Sequence, residues 1–133
     1  MNQPTVFHSL SYDDAPAAVE FLAAAFGFVA KGVYTDPGDP SRVVHAQLDW
    51  PPGGGIMLGS SGRHEESWVD STGRGQCYCV TETDEDVDAL FERAVAAGAT
   101  VVRKPEDQDY GGRGCTLWDP EGNQWSFGSY RGE

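Results

Sequence analysis

Trp118-Asp119-Pro120-Glu121-Gly122-Asn123-Gln124-Trp125-Ser126-Phe127 is the stretch on which the reading of this chain turns. Asp-Pro-Glu-Gly-Asn is turn chemistry: proline fixes φ, glycine accepts positive φ, and the acidic and amide side chains bond nearby backbone. Gly114 to Trp118 before it and Gln124 to Tyr130 after it are rich in aromatic and β-forming residues. The whole predicts a β-hairpin, with Gly122 at positive φ in its tight turn.

Working back from that hairpin, Gln76 to Thr81 reads as a strand, and Asp84-Glu85-Asp86 supplies the acidic start of a helix. Val87, Leu90, Phe91, Ala94 and Val95 share one face of that helix, Gly98 ends it, and Thr100 to Arg103 is the next strand. The N-terminal half repeats the order. Val6 to Tyr12 predicts a strand, and Ala15 to Phe26 a helix with Pro16 in its first turn and Gly27 at its end. Phe28 to Thr35, Arg42 to Asp49 and Ile56 to Ser60 predict three more strands, with Ser61 to Gly75 as a polar linker. The helix ends Ala25-Phe26-Gly27-Phe28 and Ala96-Ala97-Gly98-Ala99 are the same device used twice. Internal duplication of a β-α-β-β-β unit outweighs any single element as a fold signal.

That duplicated unit, with Asp13-Asp14-Ala15-Pro16-Ala17-Ala18-Val19-Glu20-Phe21 and Asp119-Pro120-Glu121-Gly122-Asn123, resembles the vicinal oxygen chelate superfamily. This superfamily includes glyoxalase I, extradiol dioxygenases and bleomycin-resistance proteins, and the likeness is nearest to the small, single-domain, bleomycin-resistance-like members. It implies an α+β fold of two β-α-β-β-β modules, about 4–62 and 75–131 within one domain 1–133, with curled mixed sheets and helices outside. Members place two modules side by side, in one chain or across a homodimer, around a concave ligand face. Unpaired sheet edges and an apolar concave face make a homodimer the expected assembly.

The resemblance also locates four positions where metal-using members hold their ion. They fall here at Phe7, at Met57, between Gly75 and Cys79, and at Ser126 just after the last turn, where such members carry glutamate. Phenyl, thioether and hydroxyl groups are not usual ligands of zinc, iron or manganese. With Tyr78 and Val80 turned inward, alternation places Cys77 and Cys79 on the concave face and Gln76 off it. Cys-x-Cys falls two ligands short of a four-coordinate site and reads better as two small, soft pocket-lining residues. No metal and no cofactor is therefore expected. A slip of one residue would reverse the parity, and His8, His45 and Gln76 are then the candidate ligands.

Other catalytic patterns fail. Gly59-Ser60-Ser61-Gly62 has Arg63 where a nucleophile elbow needs glycine, His64-Glu65-Glu66 lacks a zincin's second histidine, and Gly53-Gly54-Gly55 lacks the lysine of a phosphate loop. The remaining candidate is an organic-ligand pocket lined by Phe7, Ser9, Trp50, Met57, Cys77, Cys79, Tyr110, Trp118, Gln124 and Ser126, with Trp68 also near its mouth. Trp125 and Phe127 have helix-facing parity and are expected in the core.

A formal charge of −12 opposes nucleic acid and anionic membrane and favours solubility, or a cationic ligand. The three cysteines have no framework spacing and no secretion signal is evident, so a reducing cytoplasm is the expected location. The expected function is metal-independent binding of an organic small molecule, cationic or aromatic, of the kind that sequesters an antibiotic. The alternative is a metal-dependent lyase, isomerase or dioxygenase with displaced ligands, and a third reading is an interaction module with no ligand.

Overall fold

The computed structural model describes residues 3–62 and 67–133. The motif His64-Glu65-Glu66 and the adjacent Arg63 lie outside the described residues. Two four-stranded mixed sheets carry the fold. The first has the order β1-β4-β3-β2, from His8–Tyr12, Gly55–Ser60, Asp39–Asp49 and Val29–Asp36. The second has the order β5-β8-β7-β6, from Gln76–Val80, Gln124–Gly128, Arg113–Trp118 and Thr100–Asp107. In each, the first and last strands of a β-α-β-β-β unit pair in parallel and the others are antiparallel. This is the expected α+β duplication.

The helices lie on one face of each sheet. α1 (Ala15–Phe21) starts at Asp14, whose side chain accepts from the Ala17 amide at 3.2 Å. The single helix expected to Phe26 instead widens into a π-helical segment, Leu22–Phe26, ending at Gly27 with φ 89°. Leu22, Ala25 and Phe26 are all buried by it, and Arg93 Nε donates to the Ala25 carbonyl at 3.1 Å. α2 (Asp84–Ala96) opens on a reciprocal capping box between Thr83 and Asp86. Strand β6 runs to Asp107, past its expected end at Arg103, and it accommodates Pro105, which has no N–H to donate, inside a register shift between Arg103 and Glu106.

The helix-facing sides of both sheets meet in one apolar cluster. Phe26 lies 4.7 Å from Phe127 and 5.5 Å from Trp125 between ring centroids, and Phe28 and Trp50 complete the stack. Trp125 and Phe127 are fully buried, as their parity predicts. A second link is polar. Asp119 is buried, and its carboxylate accepts from Tyr12 Oη at 2.7 Å, Trp125 Nε1 at 3.0 Å, Asn123 Nδ2 at 3.1 Å, and the amides of Glu121 and Asn123 at 3.0 Å. Burial and the neighbouring Asp119 hold the Tyr12 phenol well above its usual range, so it remains a donor. The turn closes through Gly122 N to Asp119 O at 2.9 Å, with Gly122 at φ 94°.

Every partner of the Asp119 carboxylate is a donor, so an amide in its place must turn an NH2 toward other N–H or O–H groups. We expect Asp119→Asn to lose at least ~2 kcal/mol, Tyr12→Phe ~1–3 kcal/mol, and Gly122→Val more than ~1 kcal/mol. Urea unfolding of the three variants checks this, and an unchanged midpoint in Asp119→Asn would remove the carboxylate from the stabilising network.

Candidate functional site

The faces of the two sheets that point away from the helices are the surfaces free to meet a ligand. Alternation assigns their residues, since directly paired neighbours share a face. On the first sheet, Ser9 pairs with Met57 and Met57 with Gln47, which places all three on the open face. His45 joins them by simple alternation, two residues before Gln47, and its ring stacks on Tyr34 at 6.3 Å. Gln47 Nε2 donates to Asp49 at 3.0 Å. A hollow of about 110 Å³ lies here, lined by Ser9, Ser11, His45, Met57 and Trp68. Phe7 precedes β1 and is half-buried.

On the second sheet, Gln76 pairs with Gln124 and Gln124 with Trp118; Tyr78 pairs with Ser126 and Ser126 with Thr116. These six form the open face. Thr116 and Ser126 hydroxyls are hydrogen-bonded at 2.9 Å, and Trp118 Nε1 donates to Gln124 Oε1 at 3.3 Å. Tyr78 Oη donates to the Tyr130 carbonyl at 2.7 Å and so ties the segment after β8 across this face. Tyr110 and Tyr130 meet edge to face at 4.8 Å, and with Tyr78, Val80 and Arg131 they line a cavity of about 360 Å³.

Three of the residues expected in the pocket lie off the open faces, around a separate hollow that they share. Cys77 and Cys79 pair with Trp125 and Phe127 and point to the core, not to the open face. The expected parity of β5 is therefore reversed, and Gln76 belongs to the open face. The cause is volume: the large rings of Trp125 and Phe127 leave room for only small neighbours beside them, while Tyr78 keeps a polar end to satisfy. Trp50 is the third. Its Nε1 donates to the Val80 carbonyl at 2.8 Å and its ring packs on Phe28 and Phe127, in the seam between the sheets. Ser9, Met57, Trp118, Gln124 and Ser126 lie on open faces, and Tyr110 borders one. His8 has helix-facing parity beside Ile56, and its burial lowers its pKa. Tyr78, Thr116 and Gln47 were not foreseen. The alternation of β7 and β8 with Trp125 inward would have found Thr116, and a corrected β5 parity would have found Tyr78.

The donor set does not fit a divalent ion. The positions that the superfamily resemblance assigns to metal ligands carry Phe7, Met57, Ser126 and, in the second sheet, Gln76 beside Gln124. A phenyl group offers nothing, and a thioether, a hydroxyl and neutral amides do not offset dehydration of a hard cation as carboxylates and imidazoles do. Among the described residues, no three His, Cys, Asp or Glu side chains are grouped to hold one. The open faces can instead offer aromatic contact and directional hydrogen bonds. No helix among the described residues is long and apolar enough to cross a membrane.

Comparison with known proteins agrees with the fold. A model of the glyoxalase/bleomycin resistance protein/dioxygenase superfamily matches residues 5–127. An uncharacterized protein of Mycobacterium bovis is 36% identical over 129 residues, covering 95% of this chain and 83% of its own. TioX from Micromonospora sp. ML1 is similar in structure with a TM-score of 0.72 at 31% identity, over 94% of this chain and 97% of its own. A glyoxylase/bleomycin resistance protein/dioxygenase domain from Frankia sp. EAN1pec has a TM-score of 0.73 at 17% identity, over 98% of this chain and 100% of its own. That last likeness concerns the fold alone.

Trp118 is 44% exposed on its open face while Trp125 is fully buried. Acrylamide should therefore leave Trp125 emitting, as a fraction of the fluorescence that rising quencher does not reach, whether or not a second copy covers Trp118; complete quenching would place Trp125 within reach of solvent.

Proposed function

The chain belongs to the glyoxalase/bleomycin resistance protein/dioxygenase superfamily, and on that footing we propose that it binds an organic small molecule without a resident metal. The observation that carries this reading is the chemistry of the open faces. Neutral amides and hydroxyls (Gln47, Gln76, Gln124, Thr116, Ser126) stand among aromatic and apolar side chains (Tyr34, Met57, Tyr78, Trp118). Such a mixture supplies apolar contact area plus a few hydrogen bonds that fix orientation, which is how organic-ligand pockets work. The formal charge of −12 raises the local concentration of cations, so a planar cationic aromatic compound is the favoured ligand class. Sequestration of an antibiotic of that kind is the biological role we infer, with the cytoplasm as its place.

A homodimer supports this role physically. Tyr34, Val44, Tyr78, Tyr110 and Trp118 are large, exposed, and on or beside the open faces. A second copy that lays one open face over the other would remove this surface from water and enclose a ligand between them. The alternative of a metal-dependent lyase, isomerase or dioxygenase gains one observation, the position of Gln76 beside Gln124 on the open face. His45 would then have to come from the other sheet, and His8 faces the helices.

Sedimentation equilibrium at micromolar concentration should give twice the monomer mass; a monomer alone would overturn the dimer. Proflavine, a planar cation, should bind with quenching of tryptophan emission. Trp118→Ala should weaken that binding about tenfold, the effect of losing one aromatic contact worth ~1.4 kcal/mol. Prior dialysis against EDTA should change nothing. Proflavine binding or catalytic turnover that arises only after adding nickel, zinc, iron or manganese would replace this reading with the metal-dependent one.

A further inference from the structure

We propose that Cys77 and Cys79 form a two-thiolate site for a soft, thiophilic d10 cation of the copper(I) class, on the core-facing side of β5. This goes beyond the proposed organic-ligand role, because the site lies on the opposite face of the sheet from the ligand surface.

The two sulfur atoms are 3.8 Å apart. Two metal–thiolate bonds of about 2.3 Å set in line, as a two-coordinate ion holds them, span about 4.6 Å, so the pair takes one ion when a side-chain rotation at the half-buried Cys77 opens it by somewhat under about 1 Å. A disulfide fits less well. Residues i and i+2 of a strand have Cα atoms about 6.8 Å apart, at the outer limit for the S–S bridge. Cys77 is half-buried, and both cysteines line a cavity of about 280 Å³ with Phe28, Trp50, Ile56 and Arg131. An ion therefore has an entry path, and its surroundings are largely apolar.

The number of donors selects the class of ion. Cys115 is the third cysteine, but it lies two strands away across Phe127, at about 9–10 Å, too far to join. Among the described residues no third His, Cys, Asp or Glu completes a group with the pair. Zinc in a protein site takes four ligands, whereas soft thiolates select copper(I), for which two sulfurs can suffice. Binding replaces two S–H protons by one monovalent cation and releases both protons, leaving a net charge of −1 on the bridged pair. Arg131, which lines the same cavity, is the cation available there to offset that charge. Cys77 is half-buried where Cys79 is buried, so Cys77 is the sulfur that an entering ion meets first.

The test is anaerobic titration of the reduced protein with copper(I), supplied as its acetonitrile complex, against bicinchoninate. The expected result is one copper(I) withdrawn per chain, with a sulfur-to-copper absorption band in the near ultraviolet. Cys77→Ser should weaken binding at least about a hundredfold, since copper(I) prefers sulfur to oxygen donors, while Cys115→Ser should match the wild type. Iodoacetamide labelling of the unsubstituted protein gives a readout independent of any variant: copper should protect Cys77 and leave the labelling of Cys115 unchanged. Failure to withdraw copper from bicinchoninate, wild-type affinity in Cys77→Ser, equal loss in Cys115→Ser, or unprotected Cys77 would each overturn the site. None of these outcomes bears on proflavine binding, which is read at Trp118 on the other face.

Discussion

The buried carboxylate of Asp119 is the constraint on which the joining of the two sheets depends. It sits in the final hairpin turn, yet it accepts from Tyr12 at the end of β1, a residue 107 positions away in sequence. A carboxylate with no donor would be expensive inside a protein, and one surrounded by five donors is a strong cross-link. The turn extends the same grip outward. Glu121 accepts from the amides of Asp13 and Asp14 at the start of α1, and Asn123 Oδ1 accepts from Gly75 at the start of β5. One five-residue turn thereby holds the first strand, the first helix and the fifth strand.

The first half of the chain answers with a matching turn. Trp50 and Gly53 exchange the same backbone hydrogen bonds as Asp119 and Gly122: Gly53 N to Trp50 O, and Trp50 N to Gly54 O, against Gly122 N to Asp119 O and Asp119 N to Asn123 O. Where Asp119 reaches back to the end of β1, Trp50 reaches forward to the Val80 carbonyl at the end of β5. Each turn clasps the other half's first strand. The duplication is therefore a reciprocal fastening, polar in one direction and chiefly aromatic in the other. Because both clasps and the Phe26 stack occupy the helix-facing sides, the opposite faces are left to solvent, and this is what makes them available to a ligand or a second copy.

The fold was legible in the sequence because its signals are local and redundant. Gly27, Gly98 and Gly122 punctuate the chain at the ends of elements, and the periodicity of Val87, Leu90 and Ala94 needs no tertiary knowledge. The site was legible only where alternation was anchored by a large residue. Trp125 and Phe127 fixed β8, so Gln124 and Ser126 were placed on the correct face. In β5 the sequence Gln-Cys-Tyr-Cys-Val offers hydrophobic residues at both parities, and hydrophobicity alone ranks Tyr78 and Val80 with the core. The actual choice is made by Trp125 and Phe127 on the neighbouring strand, a tertiary fact about volume. Trp50 was misplaced for a similar reason, since its indole N–H is satisfied by a carbonyl from the other half of the chain.

The same reasoning explains how one sheet can present two different chemistries. A β-strand sends alternate side chains to opposite faces, so β5 offers an amide and a phenol on one side and two thiols on the other. The open side is solvated, and polar groups there keep their hydrogen bonds without a penalty. The core side tolerates only groups that are small and weakly hydrated, and cysteine is among the few that meet both demands while remaining able to coordinate a soft ion. Packing beside Trp125 and Phe127 therefore favours small, sulfur-bearing residues at positions 77 and 79 whether or not the pair ever meets a metal. Packing alone does not require an arginine on the wall of the cavity that both cysteines share, and it is the conjunction of Cys77, Cys79 and Arg131 in one cavity that points past a purely structural role.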